Sequence, residues 1–461
     1  MLERFLRIPR FRWRIESHSG EFWWCEDQAF DKRRHLKRVR LPGKGGRVEL
    51  QDYVSDVASE PLDKARPLWQ IRIIEHYEGG AAVLMRFHHA IGDGIALMGV
   101  LLAITDHEAY AKYSLRTPAR VPPRPWLAIP GLATLRQGLR LTSEVWQEAE
   151  LLAANPVKTA RTGAGIAGEL AYLLLMPDDT PTRFKGKPGG EKRVAWTDPI
   201  PLPEVKAASQ VLGCSINDML LASVAGALRA YLTEKGDNAD GVELRALVPI
   251  NMRTPSEAGT LGNRFGIVAV ELPAGIENPL ARLHEVRRRM MALKQSLEPP
   301  VTLGLLTALG YAPKLVQDRL FNLLLSKATA VMTNVPGPQT PLYQAGSLVK
   351  QLMFWVPQSA DIGMGVSILS LNGKVQFGLM TDAALVPDPQ AIIDHFRPEF
   401  ERLLYFAPRG PGRDDEAVTP PKKTGRAKAA STSRKKKVPA RPTAPALSKS
   451  ANGAARRKPM H

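Results

Sequence analysis

The chain has 461 residues, length for two domain-sized cores, and 44% of them are hydrophobic, the share of an ordinary folded protein. Its net charge of +18 is uneven: residues 417–461 hold 13 of the 63 Lys and Arg and no Asp or Glu, leaving 50 basic against 45 acidic residues elsewhere. Cys25 and Cys214 make neither a disulfide framework nor a zinc spacing, and the longest apolar run, "IALMGVLLAI" (95–104), is well short of the roughly 20 residues of a bilayer span.

The expectation is therefore a soluble or peripheral protein, and the cysteine usage fits a reducing cytoplasm. The opening "MLERFLRIPRFRWRIESHSG" scatters charges through what would have to be an apolar core segment, so it does not read as a signal peptide. The basic cluster "DKRRHLKRVRLPGKGGR" (31–47) reads as a solvated loop ahead of a phosphate-binding patch. Residues 68–76, "LWQIRIIEH", and 81–87, "AAVLMRF", predict two antiparallel strands around the turn at "YEGG". Gly92 and Gly94 break the second strand, and a helix is expected from 95 through "DHEAYAKY".

Prolines rule out regular structure from 118 to 131, and helical stretches are expected to about 176. A second Pro/Gly-rich crossing follows, which divides the chain into a first lobe (1–175), a crossover (176–195), a second lobe (196–406) and a tail (407–461). In the second lobe "SINDMLLASVAGALRAYLTEKG" (215–236) predicts a helix with Ser215 and Asn217 as cap candidates. "VELRALVPIN" and "FGIVAVELP" read as strands and "ARLHEVRRRMMALKQSL" as a helix. Residues 363–382 read as a hairpin folded on Asn372-Gly373, and a helix closes the folded part near 406. Together these predict an α/β architecture with mixed (α+β) sheets. The tail lacks aromatic residues and reads as disordered, with a charge that would draw it to lipid headgroups or nucleic acid.

In "RFHHAIGDGIAL" (86–97) two histidines stand at a strand end, ahead of an Asp-Gly pair that opens a helix. If the strand continues to residue 89, His88 and His89 point to opposite faces, which counts against one shared metal ion, and no Cys/His cluster adds ligands. Packing at the strand end and proton transfer remain. No G-x-S-x-G elbow or Walker loop is present, so a base without a protein nucleophile points to direct transfer, with the substrate as the attacking group.

His88-His89-Ala90-Ile91-Gly92-Asp93-Gly94 resembles the H-H-x-x-x-D-G signature of CoA-dependent acyltransferases of the chloramphenicol acetyltransferase-like superfamily. Further motifs resemble those of its bacterial wax ester synthase/diacylglycerol acyltransferase branch. They are Phe30-Asp31 with His35 and Leu41-Pro42, Pro67-Leu68-Trp69, Asn217-Asp218, and "TNVPGP" (333–338). The resemblance runs from about residue 5 to 406 and implies a two-lobed fold and an additional segment ahead of this chain's start.

It also implies a reaction: a fatty acyl group passes from acyl-CoA, a co-substrate, to diacylglycerol or a long-chain alcohol, without cofactor or metal. His89 would be the general base and His88 a support. Asp93 would shape the site, by pairing with a basic residue elsewhere, or orient His89. Gly94 would let the backbone turn tightly or approach the substrate. Asn217 would donate to the oxyanion, or merely cap its helix. Pro67, Leu68 and Trp69 would wall the alcohol or acyl pocket, with core packing the alternative for Leu68 and Trp69. The lipid substrates place the protein in the cytoplasm, peripheral at a membrane or lipid inclusion. A carrier-dependent condensation-type acyltransferase, or a protein working through its tail on inclusions or nucleic acid, are the rival readings.

Overall fold

The computed structural model describes residues 1–18, 21–109, 168, 175–253, 261–294, 296, 298–309, 314–356, 358 and 361–406. Residues 1–408 form one compact unit. The readings made for 110–167, 169–174 and the tail lie outside the described residues.

The first half is built on a three-stranded sheet. A short helix α1 (Leu2–Leu6) and a hairpin, β1 (Trp13–His18) with β2 (Glu21–Glu26), precede β3 (Leu36–Arg40) and helix α2 (Arg47–Ser59). Strand β4 (Trp69–Tyr77) lies between β3, parallel to it, and β5 (Gly80–Phe87), antiparallel. The segment 31–47 is thus not the expected solvated loop. Its cations are exposed apart from half-buried Arg47, but His35 is buried, stacked 4.4 Å from the Trp69 ring and hydrogen-bonded through Nδ1 to the Trp69 carbonyl at 2.8 Å. One buried aromatic partner outweighs a run of charge that can stay in water. Helix α3 (Gly94–Ile104) is shorter than expected and ends at Thr105.

The second half is a seven-stranded mixed sheet. Its strands are β6 (Lys192–Trp196), β7 (Ile200–Pro201), β8 (Leu244–Asn251), β9 (Phe265–Leu272), β10 (Ala330–Pro336), β13 (Met364–Leu371) and β14 (Lys374–Asp382). They run β6-β14-β13-β10-β8-β9, with β7 also on β14; β11 (Tyr343–Gln344) and β12 (Ser347–Leu348) form a separate small pair. The β13–β14 hairpin turns on Asn372 and Gly373, at φ 47° and 71°, the left-handed conformation a two-residue turn demands. The helices are α4 (Leu202–Val211), α5 (Ile216–Glu234), α6 (Pro279–Lys294), α7 (Glu298–Leu309), α8 (Lys314–Ser326) and α9 (Pro389–Phe406). Among the described residues no single helix is long and apolar enough to cross a membrane.

Helix α5 is the centre of the larger core, with Leu220, Val224, Leu228, Tyr231 and Leu232 all buried. Gly226 is required there: a Cβ would stand 2.8 Å from the Arg282 guanidinium carbon, which forms a buried ion pair with Glu399.

The two halves are joined by a matched edge. Strand β6 is the sheet's end strand, so alternate N–H groups face outward without a strand partner. Ser55 and Ser59, one turn apart on α2, accept them: Val194 N donates to Ser55 Oγ at 3.0 Å and Lys192 N to Ser59 Oγ at 2.8 Å. The fit is geometric, since four residues of helix rise about 6 Å and two of strand about 6.6 Å. Helix α2 thereby covers an otherwise open sheet edge.

Candidate functional site

Strand β5 ends at Phe87, not at residue 89, so the alternation of faces does not govern the two histidines. The chain turns at once: His88 N donates to the Leu68 carbonyl at 3.0 Å, and Ile91 N donates to the His88 carbonyl at 3.0 Å. What separates the histidines is their hydrogen bonding. Ala90 N donates to His88 Nδ1 at 3.2 Å, so the neutral His88 ring spends its lone pair there and carries its proton on Nε2. His88 in this state is a donor, not a base. His89 turns toward the second half, with its ring 5.9 Å from Phe265 and edge-on to it, and its carbonyl accepting from Asn263 Nδ2 at 3.1 Å.

Both rings sit below the ordinary histidine pKa, chiefly because the protein around them removes water from the charged form. For His88 the neighbouring His89 and Lys64 add to the effect. For His89 it is partly offset by the negative charge of Asp93 and by hydrogen bonds to its own main chain and to Asn263. His89 is nevertheless exposed. At neutral pH it is an accessible, uncharged imidazole, the form a proton acceptor needs.

Asp93 is fully occupied elsewhere. It caps α3 by accepting from Ala96 N at 3.0 Å. Arg253 Nη1 reaches its two oxygens at 2.9 and 2.7 Å, and Arg264 N donates at 3.0 Å. The Arg253 and Asp93 side chains are 4% and 10% exposed, so this pair is largely withdrawn from solvent. Arg253 Nη2 also donates to the Gly262 carbonyl at 2.6 Å, and Gly92 bridges Gly262 in parallel. The turn 88–94 of the first half is thus clasped by residues 253 and 262–265 of the second. Asn263, Phe265 and Arg253 were not found from sequence. They lie more than 150 residues from the histidines, and no local pattern marks them.

The remaining expectations fall as follows. Gly94 is not strained: an added Cβ would meet Val335 Cγ2 at 3.5 Å, an ordinary contact. The tight positions are Gly92, where a Cβ would meet that of Ala96 at 3.0 Å, and Gly262, at φ 116°. Asn217 does not cap its helix. Ser215 does, in a capping box with Asp218, because Ser215 occupies the N-cap and its Oγ accepts from Asp218 N at 3.1 Å. The Asn217 amide oxygen accepts from Asn334 Nδ2 at 3.1 Å, which leaves its NH2 as a donor. Asn334 belongs to the "TNVPGP" segment, next to the Val335 that touches Gly94.

Pro67 is buried, and Leu68 and Trp69, 4% and 1% exposed, lie in a core with Phe5, Phe11, Ile71, Ile91 and Val100. Trp69 Nε1 donates to the Phe11 carbonyl at 2.7 Å. Leu68 and Trp69 pack in this core, the alternative the sequence left open for them, and the Leu68 carbonyl anchors His88 from it. Among the described residues no group of three or more His, Cys, Asp or Glu stands where it could hold a metal ion.

Two sheets clasped around a histidine-bearing turn define the two-lobed architecture of the chloramphenicol acetyltransferase-like enzymes. Residues 1–220 match the wax ester synthase/diacylglycerol acyltransferase catalytic domain and 261–404 match the C-terminal domain of the same family. The chain belongs to that acyltransferase family. A Mycobacterium tuberculosis protein named as a diacylglycerol O-acyltransferase is 28% identical over 436 residues, covering 87% of this chain and 81% of its own. Another from that organism, named diacylglycerol O-acyltransferase tgs1, is 27% identical over 403 residues, with 84% and 82% covered. In structure the chain resembles a wax ester synthase/diacylglycerol acyltransferase from Marinobacter aquaeolei VT8 (TM-score 0.59, 21% identity, 86% of each chain). It also resembles the first condensation domain of the calcium-dependent antibiotic synthetase (TM-score 0.51, 14% identity, 88% and 87% covered). At these identities the two likenesses concern the fold.

Proposed function

We propose that the chain transfers a fatty acyl group from acyl-CoA to the hydroxyl of diacylglycerol or of a long-chain alcohol, with His89 as general base. The observation that carries this is the neutral, accessible His89 imidazole on a turn clasped between two sheets. As the hydroxyl oxygen bonds to the thioester carbonyl carbon, its proton passes to His89. The tetrahedral intermediate collapses with cleavage of the C–S bond, and the CoA thiolate takes the proton back. Asn217 offers an NH2 for the oxyanion, and His88 and Asp93 hold the turn. Family membership and the mycobacterial relatives' names support these substrates. The test is purified protein with labelled palmitoyl-CoA, offered hexadecanol and diacylglycerol in competition. Label is expected in wax ester or triacylglycerol; label appearing only as free palmitate would overturn the reading.

The protein works in the cytoplasm, at the surface of a membrane or lipid inclusion. Lipid acceptors and the 13 cations of residues 417–461 support this placement. Deleting 417–461 is expected to lower sedimentation with anionic vesicles while acyl transfer to dispersed substrates persists. Unchanged sedimentation, with loss of a steeply salt-dependent affinity for DNA, would instead make the tail a nucleic-acid address.

A further inference from the structure

Helix α3 starts at the residue after Asp93 and carries no polar side chain along its eleven positions, GIALMGVLLAI. Its inner face is ordinary core, with Ala96, Val100 and Ile104 buried. Its outer face is open: Ile95 and Leu102 are each 38% exposed, and Gly94 and Ala103 are exposed as well. Gly94 and Leu102, and Ile95 and Ala103, are eight residues apart with half-buried Met98 and Gly99 at the i+4 steps between them, so two adjacent ridges form one stripe down the helix. Midway stands Gly99, half-buried, where an added Cβ would meet nothing within 4 Å.

The stripe has direction. Its upper end, Gly94, faces Val335, beside the Asn334–Asn217 pair, and follows the clasped turn directly. Its lower end, Ala103, lies nine residues on, about 13.5 Å away along the axis. Extended chain advances about 1.2 Å per bond, so this run matches about eleven carbons. Every side chain along the stripe is apolar.

We propose that the outer face of α3 is the track of the fatty acyl chain, with Gly99 and Ala103 marking how far along it a chain of given length reaches. This rests on the acyl-transfer reading above. A flat apolar face continuous with the reacting centre suits an alkyl chain, which needs removal from water and no hydrogen bonds. A bulky side chain raised from the stripe then acts as a stop, and its height on the helix sets where the chain is cut.

The experiment compares Gly99→Phe and Ala103→Phe with the parent chain across hexanoyl-, decanoyl- and palmitoyl-CoA at fixed hexadecanol. Gly99→Phe is expected to lower kcat/KM for palmitoyl-CoA at least tenfold and for hexanoyl-CoA less than threefold. Ala103→Phe, lower on the stripe, is expected to spare decanoyl-CoA and affect palmitoyl-CoA alone. Melting temperatures at or above the parent's are expected, since each change adds a side chain in open or surface positions. An equal effect on all acyl lengths would overturn the proposal. So would a shift with alcohol length instead, or reduced vesicle binding with unchanged transfer to dispersed substrates. A parent chain inactive with every acyl-CoA would refute the acyl-transfer reading itself, a distinct result.

Discussion

Arg253→Met is expected to destabilise the folded unit by about 3–5 kcal/mol, the usual result of removing one partner from a buried ion pair. Asp93 would keep its bonds from Ala96 N and Arg264 N but lose the cation that reaches both its oxygens. The methionine fills the space without supplying a donor, and the Gly262 carbonyl loses its Nη2 partner as well. Because these groups clasp the 88–94 turn, activity is expected to fall further than the unfolded fraction explains. Denaturant titration of Arg253→Met, Asp93→Asn and the double variant measures the coupling. A coupling energy within about 0.5 kcal/mol of zero, the additivity expected of independent sites, would show that the pair does not hold the turn.

The arrangement assigns different work to neighbouring residues. The core of Phe5, Phe11, Leu68 and Trp69 fixes the start of β4, and the Leu68 carbonyl fixes His88. His88 closes the turn on Ala90 N, and the Asp93 carboxylate is held by three donors, Ala96 N, Arg253 Nη1 and Arg264 N. His89 alone of the group combines exposure with a neutral ring turned to the second sheet, where Phe265 and Asn263 meet it. Catalysis by such a base depends on this separation, since a carboxylate bonded to His89 would raise its pKa and slow proton release.

Features carried by nearest neighbours were legible in the sequence. The hairpin at Asn372-Gly373, the β4–β5 pair and the buried stripe of α5 follow from turn chemistry and periodicity, and the structure places them within two residues. The H-H-x-x-x-D-G run located the turn. What sequence could not supply was the clasp, since Arg253 and Asn263 lie in the connection between β8 and β9, more than 150 residues from the histidines, and no local pattern encodes their approach. The end of β5 at Phe87 escaped for a related reason, because the Leu68 carbonyl that takes His88 N belongs to another strand's approach. His35 was hidden in a run of cations. Its burial depends on Trp69, thirty-four residues away. The cap of α5 fell to Ser215 because only the N-cap position places an oxygen over the free N–H groups of the first turn.

His89→Ala is expected to lower kcat/KM for acyl transfer by roughly 10²–10⁴-fold, the contribution of a well-placed general base. His88→Ala is expected to cost far less, through loss of the turn's bond to Ala90 N. The pH dependence has a defined sign. Burial holds the His89 pKa below the ordinary value, so the neutral base predominates at pH 7 and is lost as pH falls through that lowered pKa. The most direct measurement is therefore the kcat/KM profile, from pH 4.5 upward, of the parent chain and His89→Ala, each confirmed folded by circular dichroism. The parent is expected to rise with unit slope through a midpoint on the acid side of about 6.5, the unperturbed histidine value, and the variant to be flat and at least a hundredfold lower. A variant that retains the parent's rate, or keeps the same acid limb, would show that the proton goes elsewhere.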